Sequence, residues 1–184
     1  MKVFSNLKQY FSDKGAALIE FALVVPILLA ILLGAFELGS YIFAINKVGR
    51  LAASVNDITG RNQMKDCELQ SLLNATPMFV EPFDFASHGT IIVTGVADIN
   101  DGNGARVKWR KSAYGAASSK IGAIGAKPTL PSGFTISAGD SAVFVEVYYD
   151  YNTIFNALDF NKKQIYRMIV TKPRLGQMVT LTPC

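Results

Sequence analysis

Apolar and polar positions divide the chain into two unequal parts. From Phe21 to Phe36 it reads FALVVPILLAILLGAF, sixteen residues without a charge. Glu37 interrupts, and LGSYIFAI then runs on to Ile45. At 1.5 Å per helical residue the uncharged run spans about 24 Å. Started at Ala16, the helix reaches about 31 Å, enough for a ~30 Å hydrocarbon core, but it then carries Glu20 inside it. Beyond this stretch, Tyr41, Ile45, Val48, Ala52 and Val55 recur at 4-3-4-3 spacing and predict an apolar seam on a continuing helix. Lys47, Arg50 and Asp57 fall off that seam, and Gly49, Ala52 and Ala53 let another helix or sheet approach closely. Such a seam serves packing on the chain's own head or on another subunit. Thr59-Gly60 predicts the end of the helix, because Gly suits the position just past a C-cap.

The period then changes. Asp66 to Leu73 reads as a short helix, and Pro77 to Ser87, with Pro77 and Pro82, as a loop. Gly89 to Ile99 is β-branched and reads as a strand, and Asn100 to Gly104 as a turn. Ala105 to Lys111 alternates, which predicts a hairpin partner with Val107 and Trp109 inward and Arg106, Lys108 and Arg110 outward. Tyr114 to Phe134 is rich in Gly, Ala, Ser and Pro and predicts a long loop. Ser141 to Tyr151 and Ile165 to Lys172 supply a third and a fourth strand. Tyr149 and Tyr151 share the packed face of the third, with Tyr148 on the other side, toward solvent. A long helix followed by antiparallel strands predicts an α+β fold: a membrane-spanning N-terminal helix extending into a small antiparallel-sheet head.

Composition narrows the function classes. The 184 residues are 50% hydrophobic and 17% charged, below the roughly 25% charge of a soluble domain, and mean hydropathy is +0.27. The apolar excess is the N-terminal helix. One His and two Cys cannot supply a Cys/His zinc tetrahedron. His88, in a turn-like Ser-His-Gly stretch, has no nucleophile in a recognisable motif, and no phosphate-binding loop is present, so neither an enzyme nor a cofactor is expected. Arg106, Lys108, Arg110 and Lys111 read as the solvated face of a hairpin rather than a nucleic-acid site. Asp98, Asp101 and Asn103 lack the Gly and terminal Glu of a calcium loop and read as a plain turn.

The most informative residues precede the apolar run: Lys14-Gly15-Ala16-Ala17-Leu18-Ile19-Glu20-Phe21. A basic leader ends in Gly, a small residue follows, Glu stands five positions after the Gly, and an apolar helix begins. This resembles a type IV prepilin processing site. The continuation EFALVVPILLAILLGAFELG resembles the TadE-like minor pseudopilins of tight adherence (Tad/Flp) pili over roughly residues 14–55, and VFVEVYYDYNTIF (143–155) is similar, more weakly, to that family's C-terminal strand. The resemblance implies a leader of residues 1–15, a hydrophobic assembly helix of residues 16–60 and an extracytoplasmic pilin-like head of residues 61–184. Gly15 would be the residue cut by a prepilin peptidase and Ala16 the new N-terminus. Glu20 would be the fifth mature residue, Phe21 stands where many such pilins carry Tyr, and Pro26 matches a frequent Pro. The implied partners are other pilins and pseudopilins, the assembly platform in the bacterial inner membrane and the peptidase, with no nucleic acid.

Physical chemistry bears on the same residues. Gly lets a protease approach the backbone. A lone carboxylate in lipid is costly and marks function by default. Glu20 either pairs with the free α-amine of an adjacent subunit or reaches back to the headgroups. Pro26 either bends or opens the helix, or is a tolerated membrane proline. Glu37 lies either at the outer interface or in a polar contact between packed subunits. Lys2, Lys8 and Lys14 against Asp13 keep the N-terminus cytoplasmic and place the head in the periplasm. There Cys67 and Cys184 are permitted to form a disulfide, the alternative being two free thiols. A cleaved signal peptide is disfavoured by Glu37 and by the apolar face that continues past it. The competing function is an uncleaved, single-pass anchored periplasmic binding module.

Overall fold

The computed structural model describes residues 2–61, 64–153, 163–173 and 178–184, with side chains from residue 15 onward. The elements in chain order are α1 (Lys2–Arg61), α2 (Asp66–Asn74), α3 (Pro77–Val80), α4 (Phe85–His88), β1 (Gly89–Ala97), β2 (Arg106–Ala113), β3 (Ser141–Tyr151) and β4 (Lys163–Thr171). The strands form one antiparallel sheet in the order β2-β1-β3-β4. The α+β expectation therefore holds. The stretch expected as a plain loop, Pro77 to Ser87, contains the single turns α3 and α4, the first opened by Pro77 and the second capped by the Asp84 carboxylate, which accepts from Ser87 N at 3.1 Å.

Helix α1 has sixty residues and so measures about 90 Å. Its outer half packs on the head. Ala44, Val48, Leu51, Ala52 and Val55 are fully buried there, against Ile91 and Val93 of β1, Val143, Val145 and Val147 of β3, and Leu69 and Leu73 of α2. The seam read from sequence is thus intramolecular, though shifted: Ala44 and Leu51 lie at its centre, while Tyr41 and Ile45 sit at its margin. Each valine, leucine or isoleucine so removed from water stabilises the fold by about 1.5–3 kcal/mol, and an alanine methyl by less. Gly60 does not end the helix. It lies within α1, and a Cβ there would stand 2.7 Å from the Thr171 methyl. The glycine serves close approach of helix and β4 rather than a left-handed cap.

The opposite face of the sheet is covered by the long 114–140 connection. Ile121, Leu130, Phe134 and Ile136 pack on Val96, Val107, Ala142 and Phe144, with Phe134 and Phe144 edge-to-face at 5.7 Å. This corrects the hairpin reading. The β1–β2 register slips between Gly95↔Trp109 and Val96↔Val107, leaving Lys108 as an extra residue. A bulge of this kind reverses the side-chain alternation. Val107 consequently faces the loop and Trp109 the helix. Trp109 lies over Gly95, where no Cβ would fit, and its Nε1 donates to Met178 O at 3.0 Å.

Tyr148 is also not solvent-facing. It is buried on the loop side beside Glu146, which is 0% exposed in the middle of β3. The Glu146 carboxylate accepts from Ser119 Oγ, from Lys120 N at 2.9 Å and from Tyr166 Oη at 3.0 Å. The Tyr148 hydroxyl is shared between Ser118 O at 3.0 Å and Glu146 at 3.3 Å. A buried carboxylate is tolerated only when hydrogen-bonded in this way. Burial first, then the Glu146 charge, pushes the Tyr148 hydroxyl up to about 12 and moves Tyr166 in the same direction.

Candidate processing and assembly segment

The inner half of α1 leaves the head entirely. Leu18, Ile19, Phe21, Leu23, Ile27, Leu28, Ile31 and Leu32 are exposed, Phe21 at 67%. Within the described residues, Gly15 to Arg61 holds one helix long and apolar enough to cross a membrane. Apolar side chains displayed on all sides of a helix are the signature of a lipid-facing segment. A single-pass anchor is what this half of α1 fits.

Gly15, Ala16, Glu20, Phe21 and Pro26 all lie on this free half. Among the described residues, and apart from the helix's own backbone, nothing stands within 4 Å of a Cβ built on Gly15. Glu20 follows five residues later, about 7.5 Å farther along the axis, with its side chain exposed. The helix runs through Pro26 without interruption, although its ring removes one backbone donor. Any opening at Pro26 is therefore too small to break α1. The side chains of the leader lysines lie outside those described.

Glu37 has a partner within its own chain, which neither reading of it had named. It is only 6% exposed, and it accepts a 2.9 Å hydrogen bond from Tyr151 Oη at the end of β3. The Tyr41 ring packs edge-on against Tyr151 at 5.3 Å. Burial above all, with the Glu37 hydrogen bond and charge behind it, pushes the Tyr151 hydroxyl up to about 12. The carboxylate that ends the apolar run is thus tied to the head. Sequence reasoning missed this pair, whose members are 114 residues apart. The only signal was a carboxylate just past an apolar run and a tyrosine closing a strand, and neither points to the other.

Other polar candidates are engaged locally. Asp98 Oδ1 accepts from Asn100 N at 2.9 Å and Asp101 Oδ1 from Asn103 N at 3.0 Å, which makes two Asx turns. Arg110 donates to Thr94 Oγ1 and Gly122 O, and Lys111 pairs with Asp66 at 2.8 Å. Half of the basic hairpin face therefore fastens β2 to the loop and to α2. His88 Nδ1 lies 3.3 Å from Asp84 O, at the foot of α4.

Cys67 and Cys184 are joined in a disulfide, with their Cα atoms 6.1 Å apart. The C-terminal segment it ties down has further anchors: Thr182 O accepts from Asp66 N at 2.9 Å, and Met178 N donates to Ser141 Oγ at 3.0 Å.

In comparison with known proteins, no curated protein and no solved structure matches the chain. The head, including the 143–155 stretch, is outside the family match, and residues 154–155 are also outside those described. That match begins at Gly15, takes in the whole free half of α1 and ends at Val55 of the head-packed seam: residues 15–55 fit the family described as TadE-like protein, consistent with a TadE-like protein of Tad pili.

Proposed function

We propose that the chain is a minor pseudopilin, a structural subunit for assembly of a Tad-type adherence pilus. The observation that carries this reading is the family match over residues 15–55, which takes in the exposed apolar side chains of α1 from Leu18 to Leu33 together with the head-packed seam from Ala44 to Val55. In this reading a prepilin peptidase on the cytoplasmic face cuts after Gly15, and Ala16 becomes the N-terminus. The helix from residue 16 holds the protein in the inner membrane, and the head of residues 61–184 lies in the periplasm. Glu20 pairs with the free α-amine of a neighbouring subunit, which offsets the desolvation of both groups and sets axial register. Phe21 packs beside that pair, and Pro26 gives the helix a bend within the bundle. The role is assembly, not catalysis.

Mass spectrometry of the N-terminus on membrane-extracted protein tests this. An Ala16 start supports the proposal, and an intact Met1 favours an uncleaved anchor instead. Gly15→Leu should abolish the cut, because a branched side chain denies the close backbone approach that Gly allows. Mature protein of wild-type length in that variant would show the site to be wrongly placed.

A further inference from the structure

The apolar surface of α1 does not stop where the head begins. Leu38, Ile42 and Phe43 remain exposed within two turns beyond Glu37, Phe43 at 47%. Phe83, from the connection between α3 and α4, lies 5.8 Å from Phe43 and extends this surface onto the head. Two lysines rim it, with Lys47 Nζ 5.5 Å from the Phe43 ring and Lys163 Nζ 5.3 Å from the Tyr41 ring. Carboxylates are present too: Glu81 and Asp84 are exposed on either side of Phe83.

The level of this collar along the axis decides what covers it. The uncharged run of about 24 Å falls about 6 Å short of the ~30 Å core, so with that shortfall shared between its two ends the core boundary lies about 3 Å past Phe36, and Phe43, seven residues beyond Phe36, lies about 7 Å above the boundary. The headgroup layer on each side of a bilayer is roughly 5–8 Å thick. An apolar face carrying Phe and Leu beside lysines settles at the headgroup/acyl boundary, and such lysines keep their stems on apolar surface while the ammonium reaches water. We infer that this end of the head is set into the outer headgroup layer, with Ile42, Phe43 and Phe83 among the headgroups and Lys47 and Lys163 at their upper edge. The occupant of the surface is the lipid itself. With acidic and basic groups both present, burial of the rings supplies the attraction, rather than lipid charge. The Tyr151–Glu37 bond then serves to keep a carboxylate away from lipid at the level where the helix enters the head.

This inference rests on α1 spanning the bilayer, and the test separates the two. The full chain is placed in phosphatidylcholine vesicles whose lipid is brominated near the top of the acyl chains. Tryptophan is introduced in turn at Ile27, Phe43 and Ile99, and emission is read as the excess over the parent, whose single Trp109 is buried. Ile99 follows β1 at the end of the sheet away from Tyr151, since Ala97 pairs with Ser141. The expected result is strong quenching of Ile27→Trp, quenching of Phe43→Trp several-fold above that of Ile99→Trp, and poor access of aqueous iodide to Phe43→Trp. Ile42→Trp, at a 56% exposed position, should behave like Phe43→Trp and guards against one misfolded variant. Iodide access without bromine quenching at both collar positions, with Ile27→Trp quenched, overturns the inference and leaves the anchor standing. Shielding from both quenchers also overturns it, since a second copy of the chain then covers the collar. An unquenched Ile27→Trp removes the anchor reading and the inference together.

Discussion

The disulfide offers the sharpest quantitative test of the head. Cys67 opens α2 and Cys184 is the last residue, so the bond closes a loop with a sequence separation of 117. In the chain-entropy account a closed loop of that size is stabilising by ~5 kcal/mol. The folded side of the equilibrium changes little on removal, because the Thr182–Asp66, Met178–Ser141 and Trp109–Met178 hydrogen bonds remain to hold the terminal segment. The loss therefore falls mainly on the unfolded chain, and the loop-entropy figure is an upper limit. Against total stabilities of about 5–15 kcal/mol it is a large share. The perturbation is Cys67→Ala with Cys184→Ala, in the full chain in mild detergent. The assay is urea unfolding followed by Trp109 emission, since that indole is buried and bonded to the terminal segment itself. With a slope of about 1.5 kcal/mol per molar urea, the midpoint should fall by up to ~3 M. Trypsin should release the C-terminal segment from the variant long before the parent. An unchanged midpoint would refute the entropic reasoning. Two alkylatable thiols in unreduced protein from membranes would refute the bond and count against the periplasmic placement of the head.

Tyr151→Phe should lower stability by about 1.5–3 kcal/mol near neutral pH, since it strips a donor from the buried Glu37 carboxylate. Because the folded hydroxyl is held up to about 12, the unfolded chain loses its proton first, and parent stability falls as pH rises from about 10 through 12. The variant lacks that share of the loss, so urea midpoints of parent and variant should converge between about pH 8 and about pH 11; a constant gap would disprove the assignment. Glu20→Ala should still insert into the membrane, and insert more readily, but lose crosslinks to partner pseudopilins; normal piliation in that variant would rule out the pairing role. Gly95→Ala should cost roughly 1–3 kcal/mol by driving a methyl into Trp109, visible as a lowered melting temperature and altered indole emission, and a neutral result would contradict the close packing described.

What the sequence determined by itself is what depends on near neighbours. The apolar run, its length and the order Lys14-Gly15-Ala16 with Glu20 are local patterns, and they suffice for the membrane-competent helix and for the likeness found over residues 15–55. Strand positions were legible for the same reason: β3 spans Ser141–Tyr151 as the alternation indicates. What only the tertiary structure decided is which side of each element meets which partner. Lys108 bulges out of β2 and sends Val107 and Trp109 to opposite faces, which no period-two pattern reveals, because the slip exists only in the pairing with β1. Tyr148 looks like a solvent-facing position until the 114–140 connection covers that face and supplies Ser119 and the Lys120 amide to its neighbour Glu146. Glu37 reads as the polar end of a membrane helix until Tyr151 arrives from the far end of β3. In each case the deciding energy is burial and hydrogen bonding between groups distant in the chain, and a local pattern holds no record of it.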